Sequence, residues 1–204
     1  KSLYVEYPNL IEKDSNGKFL FKISFFKRSE RWRYFFGFSL DGADTIKNLY
    51  RYFTPGKNAT DYLSYFRRLC KCSPKNPVIL FFDNETKSQR PLKKFIKDSN
   101  IHDEALRLLE QDLNIRLIEE SKLFLMTHPL VGDKDECEIE DLFPLKVLEH
   151  KIDRRTFSRD DKYDPEKYYG KDKFSKYIFS NYAEIDFTGF RSILNTLSSI
   201  VELQ

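Results

Sequence analysis

The chain has 204 residues, 35 Lys+Arg against 32 Asp+Glu for a net charge of +3, and an aromatic content of 16% that excludes a disordered chain. No apolar run approaches the ~20 residues of a membrane helix, and three cysteines, Cys70, Cys72 and Cys137, cannot build a disulfide framework, so a reducing cytosol is the default. The small net charge hides a division: residues 1–100 carry 20 basic and 10 acidic side chains, residues 101–204 carry 15 and 22. A basic half suits a polyanionic partner. An acidic block suits either a metal site or a solvated face.

The opening K-S-L-Y-V-E-Y reads as the tail of a helix, so the chain is expected to be a piece of a longer one. Phe19, Phe21, Ile23 and Phe25 alternate as on one face of a strand over Gly17–Phe26. Tyr34–Phe38 is a second short apolar run. After the turn residues L-D-G-A-D, Asp44 or Thr45 caps a helix reaching Phe53. A second helix is expected over Ala59–Cys70, with Tyr62, Tyr65, Phe66 and Leu69 at helical spacing. P-V-I-L-F-F at 77–82 has no alternation, the pattern of a parallel strand covered on both faces. A basic helix follows over 91–97, then a helix over 103–112 with Ala105, Leu108, Leu109 and Leu113 inward. K-L-F-L-M-T at 122–127 is a further strand, closed by His128-Pro129. An acidic loop leads to I-E-D-L-F, a short helix or turn at 139–143. Residues 150–166 read as irregular, and helices are expected near 171–181 and 187–202. One domain, 1–204, accommodates all of this.

In open α/β sheets, ligands sit beyond the carboxyl ends of strands. The first core strand ends at Asp83 and Glu85; in extended chain, residues i and i+2 point the same way. The second leads to Glu138, Glu140 and Asp141. Oxygen ligands with little His or Cys suit Mg²⁺ or Mn²⁺. His102, His128 and His150 lack metal-ligand spacing, and the C-x-C of Cys70 and Cys72 lacks the second pair that zinc needs. D-x-E after a strand is also common turn chemistry.

P-V-I-L-F-F-D-N-E-T-K, L-F-L-M-T-H-P-L, C-E-I-E-D-L-F and G-K-D-K-F-S-K-Y-I-F-S-N-Y-A-E-I-D-F-T-G-F occur in that order from 77 onward. With K-I-S-F-F-K and F-S-L-D-G-A-D earlier, they resemble the C-terminal TOPRIM (topoisomerase–primase) endonuclease region of retron reverse transcriptases, from about residue 20 to the end. The resemblance implies a TOPRIM-like α/β fold, a small, mainly parallel sheet between helices with a C-terminal helical extension. It implies a Mg²⁺-dependent (or Mn²⁺-dependent) nuclease that hydrolyses phosphodiester bonds, with Asp83, Glu85, Glu140 and Asp141 as catalytic residues. Asp83, Glu85 and Glu140 would hold the metal. Glu85 stands where the family usually has Asp, and Glu140-Asp141 match its E-D pair. The family's first acidic motif, a Glu-Gly turn then Thr-Asp, is absent; it is expected upstream of Lys1 with the reverse transcriptase.

Lys87, Arg90, Lys93 and Lys94 beside D-N-E, and Lys171 and Lys173 in G-K-D-K-F, are candidates for binding the nucleic-acid backbone; each also suits a solvated helix face. The implied partners are the reverse transcriptase of the same polypeptide, its RNA-linked single-stranded DNA, and an RNA or DNA substrate. The implied setting is the bacterial cytoplasm in anti-phage defence, and the reading allows an oligomer. A catalytically decayed nucleic-acid-binding or scaffolding module is the alternative. A primase or topoisomerase fragment would share the fold but predicts zinc-binding or DNA-gate segments that the sequence lacks.

Overall fold

The computed structural model describes residues 3–25, 30, 34, 43–54, 61–72, 75–87, 90–118, 122–160 and 162–203. The chain is a mixed α/β fold whose centre is a three-stranded sheet. Strands β3 (Val78–Phe81), β4 (Asn114–Ile118) and β5 (Leu123–Met126) lie in the order β3-β5-β4. Their precursors in the chain are α1 (Leu3–Glu6), a hairpin of β1 (Ile11–Lys13) and β2 (Phe19–Phe21), and helices α2 (Ala43–Tyr52) and α3 (Tyr62–Cys70). Helices α4 (Pro91–Asp98) and α5 (Asp103–Asp112) connect β3 to β4. Beyond β5 come a 3₁₀ turn (Ile139–Leu142), α6 (Leu145–Leu148), the two-residue strands β6 (Thr156–Phe157) and β7 (Tyr168–Tyr169), α7 (Lys171–Asn181), a 3₁₀ turn (Thr188–Phe190) and α8 (Arg191–Glu202).

β3 pairs parallel to β5, as its unbroken apolar run implies. β4 pairs antiparallel to β5, so the sheet is mixed where a mainly parallel one was expected. Chain length explains the difference. Only residues 119–122 separate β4 from β5, and so short a connection can join only antiparallel strands; a parallel crossover needs a dozen or more residues. β4 escapes a reading of apolar pattern because N-I-R-L-I follows directly on α5. Leu113 makes the join possible by taking up left-handed backbone, φ 59°, at the C-cap.

All four β5 residues are buried, and their alternation serves two cores. Leu123 and Leu125 meet Leu80, Phe82, Leu92, Phe95, Ile96, Leu109 and Ile115. Phe124 and Met126 meet Leu142, Ile193 and Ile200 on the other side. Helices therefore cover both faces: α4 and α5 on one, α8 on the other. A third cluster, Val147, Tyr169 and Phe174, holds β7 and α7 together. The N-terminal segment is tied to α8, with Tyr7 donating to Asn195 Oδ1 at 2.6 Å and Asn9 Nδ2 to the Ser198 carbonyl at 3.0 Å.

Several expectations are revised. The strand over Gly17–Phe26 shortens to Phe19–Phe21, because its partner β1 offers only three residues; Phe19, Phe21 and Phe25 are exposed. Tyr65, Phe66 and Leu69 on α3 also face outward, with no described element packed against them as a core. Leu108 is exposed while Leu109 turns inward. Within 150–166, β6 forms and pairs in parallel with β7. The apolar run Tyr34–Phe38 lies outside the described residues apart from Tyr34. Among the described residues, no helix is long and apolar enough to cross a membrane.

Gly189 marks where the C-terminal I-D-F-T-G-F segment closes on the acidic 3₁₀ turn. A Cβ there would run into the Leu142 backbone carbonyl, which has no rotamer by which to yield. Gly189→Ala is therefore expected to cost about 2 kcal/mol or more, as overpacking does, lowering Tm by several degrees at this size. Thermal unfolding followed by circular dichroism checks this, and an unchanged Tm would contradict the close approach.

Candidate functional site

The parallel pairing of β3 and β5 brings their carboxyl ends to one edge of the sheet. Asp83-Asn84-Glu85 follows β3, and Thr127-His128-Pro129 follows β5. The two segments are locked together. Thr127 Oγ1 donates to the Phe82 carbonyl at 3.1 Å, and Asn84 Nδ2 donates to the His128 carbonyl at 2.7 Å. Asn84 also bridges to Cys137, whose amide donates to the Asn84 carbonyl at 3.0 Å. That bridge draws the acidic loop and the 3₁₀ turn across the end of the sheet.

Asp83 is the pivot. Its Oδ1 accepts from the Ile139 amide at 3.0 Å, so the first strand holds the 3₁₀ turn that carries Glu140. The same oxygen lies 3.5 Å from Nε2 of His128, a fully buried ring. Nδ1 of that ring lies 3.1 Å from the Pro129 carbonyl, and Nε2 accepts from the Asn84 amide at 3.3 Å. Burial opposes ionisation of Asp83, but His128, the Ile139 amide and Lys171 together hold its carboxyl below the ordinary aspartate value.

Glu85 does not continue an extended strand: its amide donates to the Asp83 carbonyl at 2.9 Å, closing a tight turn. Its carboxyl is mostly buried. Burial raises its pKa, Arg90 at 3.3 Å opposes this, and Asp83, Glu138 and Glu136 add to the rise. The like-signed influence of Asp83 and Glu138 places all three carboxylates in one electrostatic neighbourhood.

The 3₁₀ turn supplies the rest. Lys171, the first residue of α7, sets its ammonium 2.9 Å from Glu138 Oε2 and 3.5 Å from Glu140 Oε1. Burial tends to lower the Lys171 pKa, but Glu138, Glu140 and Asp83 together raise it. Glu140 Oε2 is buried and has no hydrogen-bond partner. A buried carboxylate oxygen without a donor is rare and calls for an explanation. As the side chains are placed, no three His, Cys, Asp or Glu among the described residues form a group that could hold a metal ion.

Asp141 points elsewhere. Its Oδ1 accepts from Lys134 and from Arg159 Nη2 at 2.6 Å, and its Oδ2 accepts from the Glu138 amide at 2.9 Å. Together with the Asp141 amide donating to the Glu138 carbonyl, this closes the 3₁₀ turn on itself. Both oxygens are thus engaged in holding the turn; Glu138 and Glu140 face Lys171, and the Glu138 carboxylate also accepts from the Asp141 amide.

The basic candidates separate in the same way. Lys171 joins the cluster directly, and Arg90 joins through Glu85. Lys87 pairs with Asp135, and Lys173 pairs with Asp153 at 2.6 Å. Lys93 and Lys94 lie on the exposed face of α4, whose other face buries Leu92, Phe95 and Ile96. His128, Lys134 and Arg159 were not singled out by sequence, and Glu138 only as part of the acidic run. The T-H-P at a strand end was the one available signal for His128. Nothing local marks Arg159, 18 residues from its partner Asp141.

No family model matches the chain, and no solved structure matches it.

Asp141 gives a test with a definite sign. Burial alone would raise its pKa, but Lys134, the Glu138 amide and Arg159 bring it below the ordinary value. A carboxyl whose pKa is depressed by folding stabilises the protein above its unfolded pKa, and that stability is lost as pH falls through the folded pKa. Asp141→Asn is expected to cost about 2 kcal/mol near pH 7, the range for hydrogen bonds to charged groups. The gap to wild type should narrow below pH ~3.9. Urea titrations across pH check this; a gap independent of pH would show that the carboxylate's charge contributes nothing.

Proposed function

We propose that Asp83, Glu85, Glu138 and Glu140 form the divalent-cation site of a TOPRIM-like nuclease, using Mg²⁺ or Mn²⁺. The observation that carries this reading is the arrangement around Lys171. One ammonium gathers two carboxylates of the 3₁₀ turn beside Asp83, and Glu140 keeps a buried oxygen without a donor. A site that gathers one cation among carboxylates has the donor chemistry of a hard divalent ion. When bound, such an ion activates water and neutralises charge on a phosphate and its leaving oxygen.

The chain's own residues have separable tasks. Asp83 and Glu140 offer oxygens from two different elements, so the site depends on the fold rather than on one loop. The Ile139 amide fixes the direction of Asp83. Glu85, held 3.3 Å from Arg90, adds a mostly buried carboxylate to the cluster. Asp141 keeps the 3₁₀ turn in place through Lys134 and Arg159. Lys171 sets a positive charge on the rim, from which an ammonium can neutralise a phosphate.

In this reading the chain is the nuclease effector of an anti-phage retron, acting on RNA or DNA in the bacterial cytoplasm. The reverse transcriptase of the same polypeptide and its RNA-linked single-stranded DNA hold it inactive. Two observations favour a second reading, a decayed module that only binds nucleic acid. The ammonium of Lys171 already lies between Glu138 and Glu140, and no three ligands are grouped among the described residues.

Melting the full-length protein with and without Mg²⁺, beside nuclease assays on RNA and single-stranded DNA, separates the two. An ion at ~100 times its Kd stabilises the native state by ~2.7 kcal/mol, so wild type should melt higher with Mg²⁺. Asp83→Ala and the near-isosteric Glu140→Gln should lose that shift. Their cleavage should fall by about 100-fold or more, since even outer-shell partners of a metal are worth 10–100-fold. A wild-type protein that neither shifts nor cleaves would leave the binding module as the reading.

A further inference from the structure

We infer that the basic, tyrosine-lined cavity beside Lys171 is a binding pocket for one nucleotide of a single-stranded nucleic acid, next to the phosphate presented to the carboxylate cluster. The cavity, about 380 Å³, is lined by Arg155, Arg159, Tyr163, Tyr168, Lys171 and Lys173 at the start of α7. That is the lower end of the ~300–1,000 Å³ range of ligand pockets, suited to a single nucleotide and not to the face of a duplex.

Three observations point to this occupant. The first is continuity with the carboxylates. Lys171 lines the cavity and holds Glu138 and Glu140, while Arg159 lines it and holds Asp141. A strand seated in the cavity therefore runs onto the cluster without a gap. The second is charge. Among the described residues, four cationic side chains line the cavity against two acidic ones, Asp160 and Asp172, and Asp172 is drawn off to Lys176 at 2.7 Å. Asp153 alone serves both Arg155, at 3.0 Å, and Lys173, at 2.6 Å, so one exposed carboxylate is shared between two cations. A phosphate could replace it.

The third observation is the placing of the tyrosines. Tyr163 and Tyr168 are both more than one-third exposed, unlike Tyr169, which is buried with its hydroxyl donating to the His150 carbonyl at 2.7 Å. The Tyr163 ring lies over Gly170, where an added Cβ would come within 2.8 Å of Cε1. Gly170 has extended backbone, φ −92° and ψ −175°, so its lack of a side chain matters here for space and not for conformation. Arg155 Nη1 donates to the Pro165 carbonyl at 3.2 Å, fixing the loop that carries Tyr163. Aromatic faces beside cations take unstacked bases, which a single strand offers and a duplex does not.

For the fate of the strand this inference rests on the nuclease reading; for its binding it does not. The test is fluorescence anisotropy with full-length protein in EDTA, using a short dye-labelled oligothymidylate, an oligouridylate and a hairpin duplex. Both single strands should bind, and the duplex about tenfold more weakly or worse. The pair Tyr163→Ala and Tyr168→Ala should weaken single-strand binding by about 10- to 100-fold, and the pair Tyr163→Phe and Tyr168→Phe should retain it. Lys173→Ala should flatten the salt dependence by about 0.7 in the log–log slope, the loss of one single-strand phosphate contact. Should the alanine pair lower Tm, the phenylalanine pair decides, because rings without hydroxyls must still bind. Wild-type protein that binds single strands in EDTA but shows no Mg²⁺-dependent cleavage would sink the nuclease reading and leave the pocket standing. Wild-type protein that binds no single strand, a duplex bound as tightly, or an alanine pair without effect would overturn the pocket itself.

Discussion

The parallel pairing of β3 with β5 is the constraint on which the rest depends. Four residues on each strand, Val78–Phe81 against Leu123–Met126, send two chain segments out of the sheet at the same end. Because β5 is buried on both faces, neither strand can slip without exposing one of two cores. The candidate site is hung on that end: Asp83 from one strand, His128 from the other, and the acidic 3₁₀ turn drawn over both by the Asn84–Cys137 bridge.

Charge is the second organising element. The acidic block of the sequence is not a uniform solvated face. The fold sorts it into carboxylates that hold structure and carboxylates that face one another. Asp141 belongs to the first kind, with both oxygens occupied by Lys134, Arg159 and a backbone amide. Glu140 belongs to the second; Glu138 does both, accepting from the Asp141 amide and sharing a single ammonium with Glu140. Concentrating like charges is destabilising unless a cation offsets them. That Glu140 retains a buried oxygen without a donor means the offset is incomplete.

The C-terminal part of the chain is the cradle for this arrangement. Gly189 lets its 3₁₀ turn approach the Leu142 carbonyl, and α7 delivers Lys171 to the cluster from its first turn. The third core, around Val147, Tyr169 and Phe174, fixes α7 relative to the acidic turn. Three cations of the chain's second half, Lys134, Arg159 and Lys171, thus meet the acidic turn.

Apolar patterning by itself determined a good deal. The runs at 77–82 and 122–127 identified two strands, and helices were legible at α4, α5, α7 and α8, α5 from its apolar spacing, because burial on defined faces leaves a period in the sequence. Strand-end acidity singled out Asp83, Glu85, Glu140 and Asp141. Only the tertiary structure decided what each does. The antiparallel β4 came from a short connection, not from composition. The outward turn of Tyr65, Phe66 and Leu69 on α3 depended on what the fold packs against that helix. The division between Asp141 and its neighbours Glu138 and Glu140 depended on cations from 134, 159 and 171. Side chains far apart in sequence meet through packing, and no local period records which acid will meet which base.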